Sequence, residues 1–112
     1  MKIPDILFHI STKRKWKEQV KNGEYTPANY DLTGRVELLH SEKVQAFLNS
    51  NFKGRKHTVL LVIDTSRLDG VVKDSGEFGV FYIEKPLNTD SVLDRIVLEP
   101  DKNGLFDINI ES

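Results

Sequence analysis

The chain has 112 residues, the usual size of one folded domain, and its 38% hydrophobic and 29% charged residues exclude a disordered protein. Its 16 basic and 17 acidic residues leave a net charge of −1, which excludes a global positive field that would attract nucleic acid or an anionic membrane. The absence of cysteine excludes disulfides, thiolate metal sites and a cysteine nucleophile.

The beginning of the chain does not resemble a targeting segment. Met1–Asp5 contains Pro and Asp where a signal peptide has an apolar run. The longest apolar run, Val59–Ile63, is about a quarter of the length that spans a bilayer. We therefore expect a cytoplasmic protein that has no membrane association.

The first half of the chain alternates β-forming and helical segments. Ile6–Ile10 is rich in β-forming residues and predicts a strand. Ser11 is a suitable N-cap for a helix over Thr12–Lys21, and Asn22-Gly23 is a suitable stop for it. The predicted elements that follow are an ordered loop over Gly23–Gly34, a short strand over Val36–Leu39, and a helix from Ser41 to about Lys53-Gly54 with apolar residues at helical spacing.

After Gly54 the pattern changes to strands and turns. Thr58–Asp64 is a continuous apolar run, which predicts a central strand buried on both faces. The other predicted elements are strands over Val71–Lys73, Phe78–Ile83, Arg95–Leu98 and Leu105–Ile110, one helical turn within Thr89–Asp94, and a hairpin-type turn at Asp101–Gly104. A strand, two helices and then mostly strands predict an α+β fold in a single domain over residues 1–112.

Standard catalytic and phosphate-binding motifs, such as the P-loop and the zinc-protease helix, do not occur in the sequence. The three histidines, His9, His40 and His57, do not have metal-ligand spacing, so we expect no metal site. His9 alternates with Phe8 and Ile10 and therefore lies on the opposite face of its strand. A histidine in such an apolar strand is either a hydrogen-bonded core residue or a functional one.

The first predicted helix is strongly basic. Its cations are Lys13, Arg14, Lys15, Lys17 and Lys21. Together with Trp16 and Tyr25 they could contact phosphates and stack a base. The alternative is a solvated helix face with Trp16 in the core, and with a net charge of −1 we expect no nucleic-acid partner.

Six segments of the chain follow one another in an order that is typical of one family. They are Leu7–Ser11, a basic helix carrying Trp16, Gly23–Ala28, Glu42–Val44 leading into Phe52–Gly54, Val59–Asp64 followed by Arg67-Leu68, and Gly76–Phe78 with Pro86-Leu87 and Val92. Together they resemble the bacterial family catalogued as domain of unknown function 952.

This resemblance implies a small two-sheet fold similar to that of ADP-ribosyltransferases, with two N-terminal helices, mostly antiparallel strands and a cleft for a nicotinamide dinucleotide. In that superfamily a histidine of the first strand orients a ribose, an aromatic residue stacks on the nicotinamide, and a late Glu stabilises positive charge at the anomeric carbon. His9 matches the family pattern directly. The resemblance thus implies NAD as a cofactor and a nucleotide-like small ligand.

The chain departs from the family at two of the three polar positions that the resemblance places at the cleft. An ungapped alignment of Gly34–His40 puts Glu37 where the family has a histidine, and His40 takes that place only if the register slips. Tyr82, within Val80–Lys85, replaces a second family histidine.

Two functions follow from these residues. In an NAD-dependent enzyme of glycosyl or ADP-ribosyl transfer, the catalytic residues are His9, Glu37 and Glu84, and the cofactor-binding residues are His9, Tyr82 and Tyr25. His9 would hydrogen-bond a ribose hydroxyl, Tyr82 would stack a ring, and Glu37 or Glu84 would supply the anion. Alternatively, the chain is a catalytically inactive module on the same fold that binds a small ligand or a protein partner.

Overall fold

Nine strands and three helices follow one another along residues 3–108, the part of the chain that the computed structural model describes. The strands are β1 (Ile6–Thr12), β2 (Val20–Lys21), β3 (Glu24–Tyr25), β4 (Val36–Leu39), β5 (Thr58–Asp64), β6 (Lys73–Asp74), β7 (Val80–Ile83), β8 (Leu87–Asn88) and β9 (Val92–Leu98). The helices are α1 (Lys13–Gln19), α2 (Tyr30–Thr33) and α3 (Ser41–Asn51), with 3₁₀ turns at Thr65–Arg67 and Thr89–Ser91.

The strands form two antiparallel sheets. The larger sheet has six strands in the order β6-β7-β4-β1-β5-β9, and the smaller has three in the order β2-β3-β8. The predicted α+β fold with mostly antiparallel strands is therefore confirmed. β5 lies between β1 and β9, so the prediction of an interior strand at Thr58–Asp64 is confirmed as well.

Two hydrophobic cores lie on opposite faces of the six-stranded sheet. One core joins it to the three-stranded sheet and includes Leu7, Tyr25 and Leu87. The other lies between the large sheet and α3 and includes Phe8, Ile10 and Leu48. Because side chains alternate along β1, His9 faces the first core and its neighbours face the second, as the sequence predicts.

The first helix is shorter than predicted, and the residues assigned to its end form a hairpin. α1 begins after Thr12, whose hydroxyl accepts a hydrogen bond from Lys15 N–H, so Ser11 is not the N-cap. Asn22 and Gly23 have φ values of 53° and 78° and connect β2 to β3, where Val20 pairs with Tyr25. Both residues tolerate positive φ. A two-residue hairpin turn requires positive φ, and the residue that ends a helix often has it too, so the pair is compatible with either structure.

The predicted strand over Leu105–Ile110 is wrong for residues 105–108, and Asn109 and Ile110 lie outside the described residues. The turn at Asp101–Gly104 forms as predicted, with Gly104 N–H donating to Asp101 C=O at 2.9 Å. Beyond it the backbone of Phe106 is held by α3 instead of by a strand. Asn49 Nδ2 donates to Phe106 C=O at 3.2 Å, and Phe106 N–H donates to Asn49 Oδ1 at 2.7 Å.

Smaller differences concern element bounds. The strand predicted at Val71–Lys73 is β6 at Lys73–Asp74, and the strand predicted from Phe78 begins only at Val80. Phe78 is exposed in the turn before β7, where Gly79 has a φ of 76°. The helical turn predicted within Thr89–Asp94 is the 3₁₀ turn at Thr89–Ser91.

We predict that Asn49→Ala lowers the free energy of unfolding by about 2 kcal/mol, because it leaves two partly buried backbone groups of Phe106 unpaired. Urea denaturation provides the measurement. Asn51→Ala is the matched control: it makes the same change in helix propensity but removes only a bond to Phe47 C=O within the helix. Equal losses in the two variants would contradict the role assigned to Asn49.

Candidate functional site

The six-stranded sheet contains a gap between β1 and β4. These strands share a single paired position, Phe8 with Leu39, whereas β1 pairs with β5 over seven positions and β4 pairs with β7 over four. One step beyond that pair, His9 Nδ1 lies 2.7 Å from Glu37 C=O. A side chain thus replaces the next backbone hydrogen bond between the strands.

A cavity of about 750 Å³ opens at this gap. On one side, β1 contributes His9 and Ser11 to the lining, and β3 contributes Tyr25. On the other side, β4 contributes Glu37, β7 contributes Tyr82, and Arg35 lies just before β4. Phe47 of α3 and Phe52 just after it also contribute, so the cavity reaches both faces of the sheet. Its volume is within the range of small-molecule sites.

The protonation state of His9 follows from its surroundings. A carbonyl oxygen only accepts hydrogen bonds, so Nδ1 donates to Glu37 C=O and carries the proton. Burial lowers the pKa of His9, and the bond to Glu37 opposes this only partly. The imidazole is therefore neutral at pH 7, and its Nε2 carries no proton and acts as a hydrogen-bond acceptor.

Tyr25 and Ser11 surround this nitrogen. Tyr25 Oη lies 3.4 Å from His9 Nε2 and donates to Ser11 Oγ at 2.9 Å. Burial raises the pKa of Tyr25, which keeps its hydroxyl protonated. The Tyr25 ring packs against Trp16 (centroids 5.1 Å apart) and against His9 (5.4 Å), so it supports the histidine and offers the cavity its hydroxyl.

The opposite wall carries charge and an aromatic ring. Glu37 and Tyr82 are directly paired across β4 and β7 and therefore share a face of the sheet. The Arg35 guanidinium lies 4.1 Å from the Tyr82 ring centroid, a cation–π contact. The cavity wall partly shields the exposed Glu37 from water and, with the nearby charge of Glu77, raises the pKa of its carboxyl group.

Of the five residues predicted for the site, four line this one cavity: His9, Tyr25, Glu37 and Tyr82. Glu84 does not line it. Its carboxylate is hydrogen-bonded to Lys73 on the neighbouring strand, and this contact lowers the pKa of Glu84. His40 caps α3 by accepting from Glu42 N–H, and His57 pairs with Glu99, so neither lies at the cavity.

The cavity wall also contains residues that the sequence analysis did not assign to the site, among them the polar residues Ser11, Lys15 and Arg35. The period of two along a strand contained the signal for two of them, because Ser11 follows His9 and Arg35 precedes Glu37 by two positions. Within residues 3–108, no group of three or more His, Asp or Glu side chains is arranged to hold a metal ion. In the same range, no helix is long and apolar enough to cross a bilayer.

The state of His9 predicts a pH dependence of stability. The pKa of His9 in the folded protein is below 6.5, the ordinary value for histidine, so at pH values between the two the unfolded chain binds more protons. The free energy of unfolding should therefore fall as the pH is lowered below about 6.5, by at most about 1.4 kcal/mol per pH unit from this group. Urea denaturation at several pH values should give a shallower slope for His9→Asn; parallel curves would contradict the buried neutral imidazole.

Comparison with known proteins gives a family and a fold. The model of the family described as "Protein of unknown function (DUF952)" matches residues 10–95, starting directly after His9. The crystal structure of CC0527 from Caulobacter crescentus is similar at a TM-score of 0.79 and 21% identity, over 91% of this chain and 93% of that one. The solution structure of the same protein has a TM-score of 0.71 at 20% identity, covering 91% of both chains.

No curated protein matches the chain significantly. The likeness to CC0527 concerns the fold alone. The family match covers most of the sequence and contains five of the six segments described above, together with Ile10 and Ser11 of the first. The chain is a member of the DUF952 family.

Proposed function

We propose that the cavity between β1 and β4 binds a ribonucleotide of the NAD or ADP-ribose class. The observation that carries this proposal is the neutral His9, whose Nε2 is an unprotonated acceptor in the cavity wall. Ribose hydroxyls are donors that such an acceptor recognises. The neighbouring hydroxyl of Tyr25, 3.4 Å from Nε2, donates its hydrogen to Ser11, so a ligand hydroxyl can donate to Nε2 in its place. Sites built to hydrogen-bond a ligand hydroxyl select strongly for ligands that carry it.

The other walls suit the remaining parts of such a ligand. The Ser11 hydroxyl accepts from Tyr25, which leaves its own hydrogen for a second sugar oxygen. Lys15 and Arg35 are cations on the cavity wall, and phosphate oxygens are their natural partners. Tyr82 with Arg35 stacked on it provides a flat surface for a base or for nicotinamide.

The chemistry proposed for this site is cleavage of the bond between ribose C1′ and nicotinamide. The bonding electron pair leaves with neutral nicotinamide and positive charge develops at C1′. Water or the hydroxyl of an acceptor then forms the new bond to C1′ and loses its proton to solvent. A carboxylate beside C1′ stabilises this charge. Glu37 fits the role better than Glu84, because Glu37 lines the cavity and Glu84 is paired with Lys73 outside it.

A second function is binding without turnover, as a small-ligand or interaction module. Its supporting observation is also at Glu37. Desolvation and the charge of Glu77 both favour the protonated form of this carboxyl group, whereas the chemistry requires the anion. The two functions share the ligand site and differ in what Glu37 does there.

We predict that NAD and ADP-ribose shift the NMR signals of His9, Glu37 and Tyr82. His9→Asn should weaken this binding at least about tenfold, because the variant loses one hydrogen bond to a buried acceptor. Asparagine can still donate to Glu37 C=O but does not reach the position of Nε2. His40→Asn is the matched control, since asparagine also caps a helix well. A silent spectrum at millimolar ligand would rule out the nucleotide site.

Release of nicotinamide from NAD distinguishes the two functions. If the site is catalytic, Glu37→Gln should lower kcat about 100-fold or more, with little change in affinity, because glutamine keeps the shape and loses the charge. Glu84→Gln should leave kcat unchanged. Release by the wild type no faster than by His9→Asn, together with intact binding, would establish binding without turnover.

A further inference from the structure

Two basic segments that are far apart in the sequence form one surface beside the cavity. We define this basic surface by Lys13 and Lys15 of α1 and by Lys53, Arg55 and Lys56 of the loop between α3 and β5. Lys13 N–H donates to His57 C=O at 3.0 Å, and Thr12 pairs with Thr58, so the helix start and the loop are neighbours. All five residues are exposed to solvent.

Acidic side chains lie at the margin of this surface but, within residues 3–108, do not form ion pairs with its cations. Among the described residues, none of its five cations has a carboxylate oxygen within 4 Å. Two acids lie at its margin: Glu18 is paired with Arg14, and Glu99 accepts from His57 N–H. A separate acidic region, formed by Glu42, Asp74 and Glu77, lines a second cavity of about 610 Å³ beyond the other end of α3. The net charge of −1 therefore conceals two regions of opposite sign, and the basic one comprises more than α1.

The basic surface is continuous with the cavity. Lys15 belongs to both, and Phe52 of the cavity wall lies beneath Arg55, whose guanidinium is 5.6 Å from the ring centroid. Phe47 follows at 6.2 Å from Phe52. Cations that alternate with aromatic rings along a groove are the arrangement that binds single-stranded nucleic acid, because phosphates pair with the cations and bases stack on the rings.

We infer that the basic surface binds the phosphates of single-stranded RNA and that the cavity receives one of its riboses. This inference rests on the proposed ribose site at His9 and extends the ligand from a free nucleotide to a nucleotide within a strand. The 2′-hydroxyl of RNA provides the donor that His9 Nε2 accepts, and DNA does not contain it. The structure thus favours RNA over DNA of the same sequence.

Fluorescence anisotropy with labelled adenine oligonucleotides of about twelve residues, one RNA and one DNA, tests this inference at several KCl concentrations. We expect RNA to bind more tightly than DNA, with log affinity falling linearly with log salt, by about 0.7 for each phosphate contacted. Lys13→Glu and Lys56→Glu should each weaken both oligonucleotides about tenfold and reduce the salt slope. Lys85→Glu, the same charge change at an exposed position outside both the basic surface and the cavity wall, should change neither.

His9→Asn separates the basic surface from the ribose site. It should remove the preference for RNA over DNA and leave the salt slope unchanged. If the wild type binds NAD but neither oligonucleotide, the RNA inference is wrong and the proposed function stands. If RNA and DNA bind equally in the wild type, the cavity does not receive a ribose of the strand. Binding to phosphatidylserine vesicles without binding to RNA would also overturn the inference, in favour of an anionic membrane partner.

Discussion

The hydrogen bond from His9 Nδ1 to Glu37 C=O is the constraint on which the candidate site depends. Where β1 and β4 diverge, a backbone carbonyl loses its partner on the neighbouring strand, and an unpaired buried carbonyl is costly. The imidazole donates the hydrogen bond that this carbonyl would otherwise lack, and so connects β1 to β4 beyond their single backbone pair. The same bond fixes which ring nitrogen carries the proton, so the acceptor in the cavity is a direct consequence of how the sheet is completed.

The layers on either side hold this arrangement in place. Tyr25, from the three-stranded sheet, covers His9 from one face, and α3 covers Phe8 and Ile10 from the other. β1 is tied to β5 over its full length, so it does not move across to complete the ladder with β4. The gap is therefore a packed feature of the fold, and within residues 3–108 every buried side-chain nitrogen and oxygen has a hydrogen-bond partner.

Sequence patterns predicted the elements whose periodicity is strong. The alternation through Leu7, Phe8 and His9 and the helical spacing in α3 gave the correct faces, because burial enforces each period. The Asn22-Gly23 pair was misassigned because positive φ serves a helix end and a hairpin alike. Glu84 was assigned to the site through the family resemblance, which implies a late Glu, but its contact with Lys73 depends on strand pairing, which local sequence does not contain. The loop cations beside α1 were missed for the same reason.

α3 has a second role besides filling the core. α3 contributes Phe47 to the cavity wall, and Phe52 follows just after the helix. The same helix contains Asn49, which binds the backbone of Phe106, 57 positions later in the sequence. These hydrogen bonds connect the helix that lines the cavity to the segment that follows β9, the edge strand of the six-stranded sheet. The position of Phe47 in the cavity wall consequently depends on two parts of the chain that are distant in the sequence, and we expect a substitution near Phe106 to affect the cavity without changing a residue that lines it.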